Sequence, residues 1–109
     1  MVKALWISRH PLDAEAKNAL LKLYGNDLMI ETKDIVFSAD GETALTQLKD
    51  ASSNYDLIGG VFPAQLWVGL LRHNQEFKKT LFIVVSKEAP AKDGQARVFM
   101  FDHLEIFNQ

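Results

Sequence analysis

A serine, an arginine and a histidine stand side by side at Ser8-Arg9-His10, just before Pro11, where an apolar run stops. Together they supply a hydroxyl, a fixed cation and an imidazole whose unperturbed pKa of about 6.5 lies near neutral pH. Arginine can grip a phosphate through two parallel hydrogen bonds, and the imidazole can take up or release a proton beside it. That set suits metal-independent handling of a phosphodiester. In RNA the 2′-hydroxyl is a built-in nucleophile, so positioning can suffice. A plain strand-ending turn would also carry these residues, and the sequence leaves both readings open.

Composition narrows the field. The chain has 109 residues, 48% hydrophobic and 24% charged, which fits one soluble globular domain over residues 1–109. A net charge of −2 gives no global positive field for long nucleic acid, while a small anion needs only a local cluster of donors. The absence of cysteine removes disulfides, thiolate nucleophiles and zinc–thiolate sites. His10, His73 and His103 have no metal-ligand spacing, so neither a metal nor a cofactor is expected. The opening run Val2–Ser8 is too short for a signal-peptide core and ends at Arg9-His10. No apolar run nears the ~20 residues a membrane span needs. A cytoplasmic protein without a membrane partner is the expectation.

Several elements must position the trio. Residues 2–8 read as a strand buried on both faces. Asp13 is a candidate cap for a helix over 14–24, whose Ala16, Leu20, Leu23 and Tyr24 share one face, with Gly25-Asn26 as its stop. Residues 28–37 predict a less buried strand, in one or two pieces. Asp40 precedes a second helix over 41–51, with Ala44, Leu45, Leu48 and Ala51 inward. Residues 55–62 form a third strand, whose Gly59-Gly60 predicts close approach of a helix or a ligand. Pro63 starts a third helix to about residue 74 that buries Leu66, Trp67, Leu70 and Leu71 and exposes Gln65. A buried strand over 80–86, a polar loop over 87–95 and a last strand or hairpin over 97–107 complete the order. Trp6 and Trp67 read as core residues.

This order predicts a three-layer α/β domain with a mainly parallel sheet and an antiparallel strand or hairpin at its C-terminal edge. Ligands bind outside the carboxyl ends of strands in such sheets. Three segments should arrive there: Ser8-Arg9-His10-Pro11, Phe62-Pro63-Ala64-Gln65 and Ser86-Lys87-Glu88. Amides at the helix starts after Asp13 and Pro63 could serve the same anion.

No GxGxxG follows the first strand, and no GxxxxGK[ST] or GxSxG is present. The first and third strands end in Ser8-Arg9 and Phe62-Pro63 rather than acidic residues, which excludes the phospho-aspartate chemistry of receiver domains. The run Ile7-Ser8-Arg9-His10-Pro11-Leu12-Asp13-Ala14-Glu15, with Gly60-Val61-Phe62-Pro63 before a helix, resembles small CRISPR-associated proteins that begin with a strand and [ST]-[RH]-H-P. The resemblance implies a compact Rossmann-like domain, a homodimer that binds a cyclic oligoadenylate across its two-fold axis, and ring-nuclease activity without metal. On that reading His10 and Arg9 are the catalytic pair, His10 moving a proton while Arg9 holds phosphate. Ser8, Pro63, Gln65, Ser86 and Lys87 are then ligand-binding residues, Lys87 as a second cation. The alternative is a non-enzymatic interaction module of phage or defence origin that works through its surface.

Overall fold

The first strand lacks hydrophobic alternation because both its sides are covered: Ala4, Leu5, Trp6 and Ile7 are all buried. The computed structural model describes residues 2–73, 77–89, 94 and 98–107. Its elements are β1 (Lys3–Ile7), α1 (Ala14–Tyr24), β2 (Met29–Lys33), α2 (Gly41–Ala51), β3 (Leu57–Gly60), α3 (Ala64–Arg72), β4 (Thr80–Ala89) and β5 (Val98–Phe107). The sheet order is β2-β1-β3-β4-β5, the first four strands parallel and β5 antiparallel to β4. The chain is thus an α/β domain of Rossmann-like architecture with an antiparallel edge strand. Among the described residues no helix is long and apolar enough to cross a membrane.

Alternate residues of the strands feed two cores. Leu5, Ile7, Ile58 and Leu81 pack with Ala44, Leu45 and Leu48 of α2 and Leu66 and Leu70 of α3. Ala4, Trp6, Leu57 and Phe82 pack on the other face with Leu20 of α1 and with Leu28. The two helices of the first layer touch backbone to backbone: a Cβ on Gly69 would lie 2.7 Å from the Gly41 carbonyl oxygen. At the start of α2, Asp40 accepts hydrogen bonds from the Thr43 N–H (3.0 Å) and hydroxyl (2.7 Å), which hold its carboxyl below the usual carboxylate range. Asp13 makes no such cap, and α1 begins with the Lys17 N–H bonded to the Asp13 carbonyl at 2.9 Å. Gly25 ends α1 at φ 103°, its N–H on the Leu21 carbonyl.

Gly59 answers a different need from the one its sequence context predicts. Register places Trp6, Gly59 and Phe82 in one row across β1, β3 and β4. With no Cβ between them, the Phe82 ring lies over Gly59 and stacks on Trp6, centroids 5.8 Å apart and planes at 20°. A Cβ on Gly59 would stand 2.4 Å from that ring. The close neighbour at Gly59 is therefore a side chain of the next strand rather than a helix.

Other boundaries also differ. β2 stops at Lys33, and residues 34–37 leave the sheet. β4 runs on through residues 87–89, the first part of the expected loop, because β5 pairs with it as far as Ala89↔Val98. Residue 74, the end expected for the third helix, and residue 97, the start expected for the last strand, lie outside the described residues, as do residues 90–93 and 95 of the expected loop. Leu23 and Leu71, expected inward, are 61% and 77% exposed. Tyr24 packs against the α1-side core as expected, and Leu21 takes the place of Leu23. Trp6 is buried as expected, whereas Trp67 is half-buried against the α2–α3 core.

Gly59→Ala should destabilise the protein by about 1–3 kcal/mol through overpacking. Denaturant unfolding of the single and double variants should show a smaller penalty when Phe82→Leu is present, because the two sites share one space.

Candidate functional site

Residues that follow a strand are aimed by it, and three strand ends meet here. Ile7 pairs with Lys33 on one side and with Gly60 on the other. The Ser8 N–H donates to the Lys33 carbonyl (3.0 Å) and the Val61 N–H to the Ile7 carbonyl (3.1 Å), which fixes the three exits side by side. The order 2-1-3 makes β1/β3 the topological switch point, where crevices form in open α/β sheets. An open groove of about 390 Å³ lies there, lined by Ile7, Ser8, Arg9, His10, Asp34, Ile35, Val36 and Val61.

The turn that presents Arg9 and His10 is braced from two sides. The Trp6 indole N–H donates to the His10 carbonyl at 3.0 Å. The His10 N–H donates to the Ser8 hydroxyl oxygen at 3.2 Å. Ser8 thus acts first as an acceptor inside its own turn, and Trp6, itself held by the Phe82 stack, ties the turn to the core. Arg9 and His10 are both exposed. Among the described residues no ion pair engages the Arg9 guanidinium or the Asp34 carboxylate.

The remaining sequence candidates lie elsewhere. Pro63 occupies the cap position of α3, its carbonyl accepting from the Leu66 N–H (3.0 Å) and the Trp67 N–H (3.3 Å). Gln65 turns to the β2–α2 loop, its Nε2 donating to the Ser38 carbonyl at 3.1 Å. It lines a second groove of about 270 Å³ with Asp40, Gly41, Glu42 and Arg72. Ser86 and Lys87 sit on the stretch of β4 that continues beyond β3, and the Lys87 ammonium lies 3.6 Å from Asp102. The structure therefore brings together Ser8, Arg9 and His10, and leaves Pro63, Gln65, Ser86 and Lys87 out of their groove. Neither helix start lines it. Asp34, Ile35 and Val36 were missed because an apolar run through Phe37 reads as continuing strand. The pair Lys33-Asp34 inside that run was the available signal.

His103 stands between two carboxylates. Its Nδ1 lies 2.5 Å from Asp102 and its Nε2 2.8 Å from Glu105. The hydrogen bond to Asp102 and then that to Glu105 raise its pKa above the ordinary 6.5.

Compared with known proteins, the chain matches no family model, no curated protein and no solved structure.

Trp6→Phe keeps the ring stack but removes the indole donor; it should cost about 1 kcal/mol and speed amide exchange at His10, measurable by hydrogen exchange. The His103 clamp carries its own pH signature. Because the folded value is raised, its stabilisation is complete below the unfolded value of about 6.5 and fades as pH rises through the folded value. An NMR titration of the His103 ring should show the raised value, and Asp102→Asn should bring it down.

Proposed function

We propose that the switch-point groove binds a small nucleotide-type ligand, with a cyclic oligoadenylate as the member implied by the resemblance of Ser8-Arg9-His10-Pro11. One observation carries this reading: Arg9 and Asp34, a guanidinium and a carboxylate without an ion-pair partner among the described residues, line one groove at the strand ends. Arg9 is suited to phosphate. Asp34 directly follows β2, where an acidic side chain can accept hydrogen bonds from ribose hydroxyls in nucleotide-binding α/β sheets. The groove volume falls in the ordinary range for small-molecule sites.

His10, on the same lip, supplies the proton step if the ligand is cleaved. Its imidazole takes the 2′-hydroxyl proton as that oxygen attacks phosphorus. The bond to the 5′-oxygen breaks, a 2′,3′-cyclic phosphate forms, and the departing 5′-oxygen collects a proton. Lys87 and Gln65 take no part in this version of the site.

A second reading, a module acting through protein contacts, is favoured by an apolar groove of about 280 Å³ between α3 and the β4–β5 edge, lined by Trp67, Leu70, Leu71, Phe77, Leu81, Ile83 and Phe107.

Calorimetry with cyclic tetra-adenylate, linear oligoadenylate and AMP separates these readings. Arg9→Ala should weaken nucleotide binding at least tenfold, or about 1.4 kcal/mol. Asp34→Asn should weaken nucleotides while leaving the weaker response to inorganic phosphate, and Lys87→Ala should change neither. His10→Ala should abolish any cleavage of the ring while sparing its binding. If the protein binds none of these nucleotides, the reading fails.

A further inference from the structure

Among the described residues β5, ten residues long, is an unpaired edge of the sheet. Edge strands present an unpaired row of N–H and C=O groups, and long apolar ones are templates for another strand. Here Phe99, Met100 and Phe107 are 69%, 44% and 46% exposed. The greater part of β5 has a further peculiarity. Pairing of β3 with β4 stops at Gly59↔Phe82, whereas β4 and β5 continue together to Ala89↔Val98. Residues 83–89 and 98–105 lie beyond the last β3–β4 pair and form a two-stranded arm, with no third strand paired to it among the described residues. Such a ribbon is marginal in water. The radius of gyration, 15.0 Å, also exceeds the roughly 13 Å of a compact chain this long.

We infer that the arm is completed by a second copy of this chain, β5 pairing antiparallel with the partner's β5 about a two-fold axis through Asp102-His103, so that two five-stranded sheets join edge to edge.

The register follows from the β-bulge. β5 has one residue more than β4 between Val85↔His103 and Ser86↔Phe101, and that residue is Asp102. Strand alternation then puts Phe99 and Phe101 on the same face as Leu104 and Ile106, the face packed toward α1. About the bulge the strand is a palindrome of faces. Phe101 falls opposite the partner's Leu104, Phe99 opposite the partner's Ile106, and Met100 opposite the partner's Glu105. Aromatic–aliphatic cross-strand pairs of this kind stabilise sheets. At the axis, Asp102 is flanked by Lys87 at 3.6 Å and by His103 at 2.5 Å. A two-fold there sets the two Asp102 side by side, each carboxylate opposite the partner's His103 and held on its own copy by Lys87.

This inference does not rest on the nucleotide reading, and it constrains that reading. Groove and dyad lie at different places across the sheet. With strands about 4.8 Å apart, the two grooves stand roughly 34 Å from each other. Each would take its own ligand.

The chain has no cysteine, so a single introduced thiol can only meet its own copy. Asp102→Cys should form a disulfide-linked dimer on mild oxidation, because residues at the axis come within the roughly 7 Å Cα–Cα reach of a disulfide. Phe99→Cys should not, since the two copies of residue 99 are about 20 Å apart along the strands. In sedimentation the unmodified protein should be dimeric at micromolar concentration. Phe99→Glu should weaken self-association at least tenfold, with an unchanged circular dichroism spectrum. A monomeric protein overturns the inference. So does a dimer in which Phe99→Cys cross-links as readily as Asp102→Cys, one in which neither links, or one indifferent to Phe99→Glu.

Discussion

The stack of Phe82 on Trp6 across Gly59 is the constraint on which the rest of the molecule leans. It ties β1 to β4 over a strand that contributes no side chain at that level. The same indole that stacks also donates its N–H to the His10 carbonyl. One side chain therefore joins the sheet interior to the exposed turn, and its two edges serve different purposes, as aromatic rings with a polar handle allow. The turn is held by the core rather than by its own side chains alone. That is what lets Arg9 and His10 sit exposed and still be aimed.

The other half of the groove is positioned less directly. Tyr55, buried ahead of β3, donates its hydroxyl to Glu31 of β2 and is pushed above the usual tyrosine range chiefly by that bond. Lys33 lies over the same ring, its ammonium 5.3 Å from the centroid. This contact fixes the outer strand near the point where it releases Asp34. The lip at β1 and the lip at β2 thus have separate anchors on opposite faces of the sheet. Charges of opposite sign face the groove from supports that do not share a side chain.

Much of the architecture was legible because burial leaves a strong pattern. The unalternated runs at Ala4–Ile7 and Leu57–Ile58 and the helical faces at Ala16–Leu20 and Ala44–Leu48 can be read without coordinates. What could not be read were contacts set by register. That Gly59 lies between Trp6 and Phe82, rather than beneath a helix, depends on which residues face each other across three strands. The extension of β4 depends on a partner strand that starts nine residues after β4 ends. The site was half legible for the same reason. Ser8-Arg9-His10 announces itself by an abrupt change of polarity, whereas Gln65 and Lys87 have the right chemistry but are drawn away by Ser38 and Asp102. Strand order explains why Asp34 joins Arg9: β2 and β3 flank β1, and β4 is one strand further off.

The β-bulge in β5 has a consequence for how an edge of this length can exist in a cell. The ladder with β4 does not need Asp102: removing it would leave Val85↔His103 and Ser86↔Phe101 still paired, in an uninterrupted strand. A regular strand can slide past a copy of itself in steps of two residues, and sliding contacts permit staggered, open-ended growth. The extra residue breaks that translational freedom, because faces match across the whole strand in one alignment alone. In the edge-to-edge pairing inferred above, the irregularity would thus act as a stop on polymerisation, so that the edge closes on itself once instead of propagating.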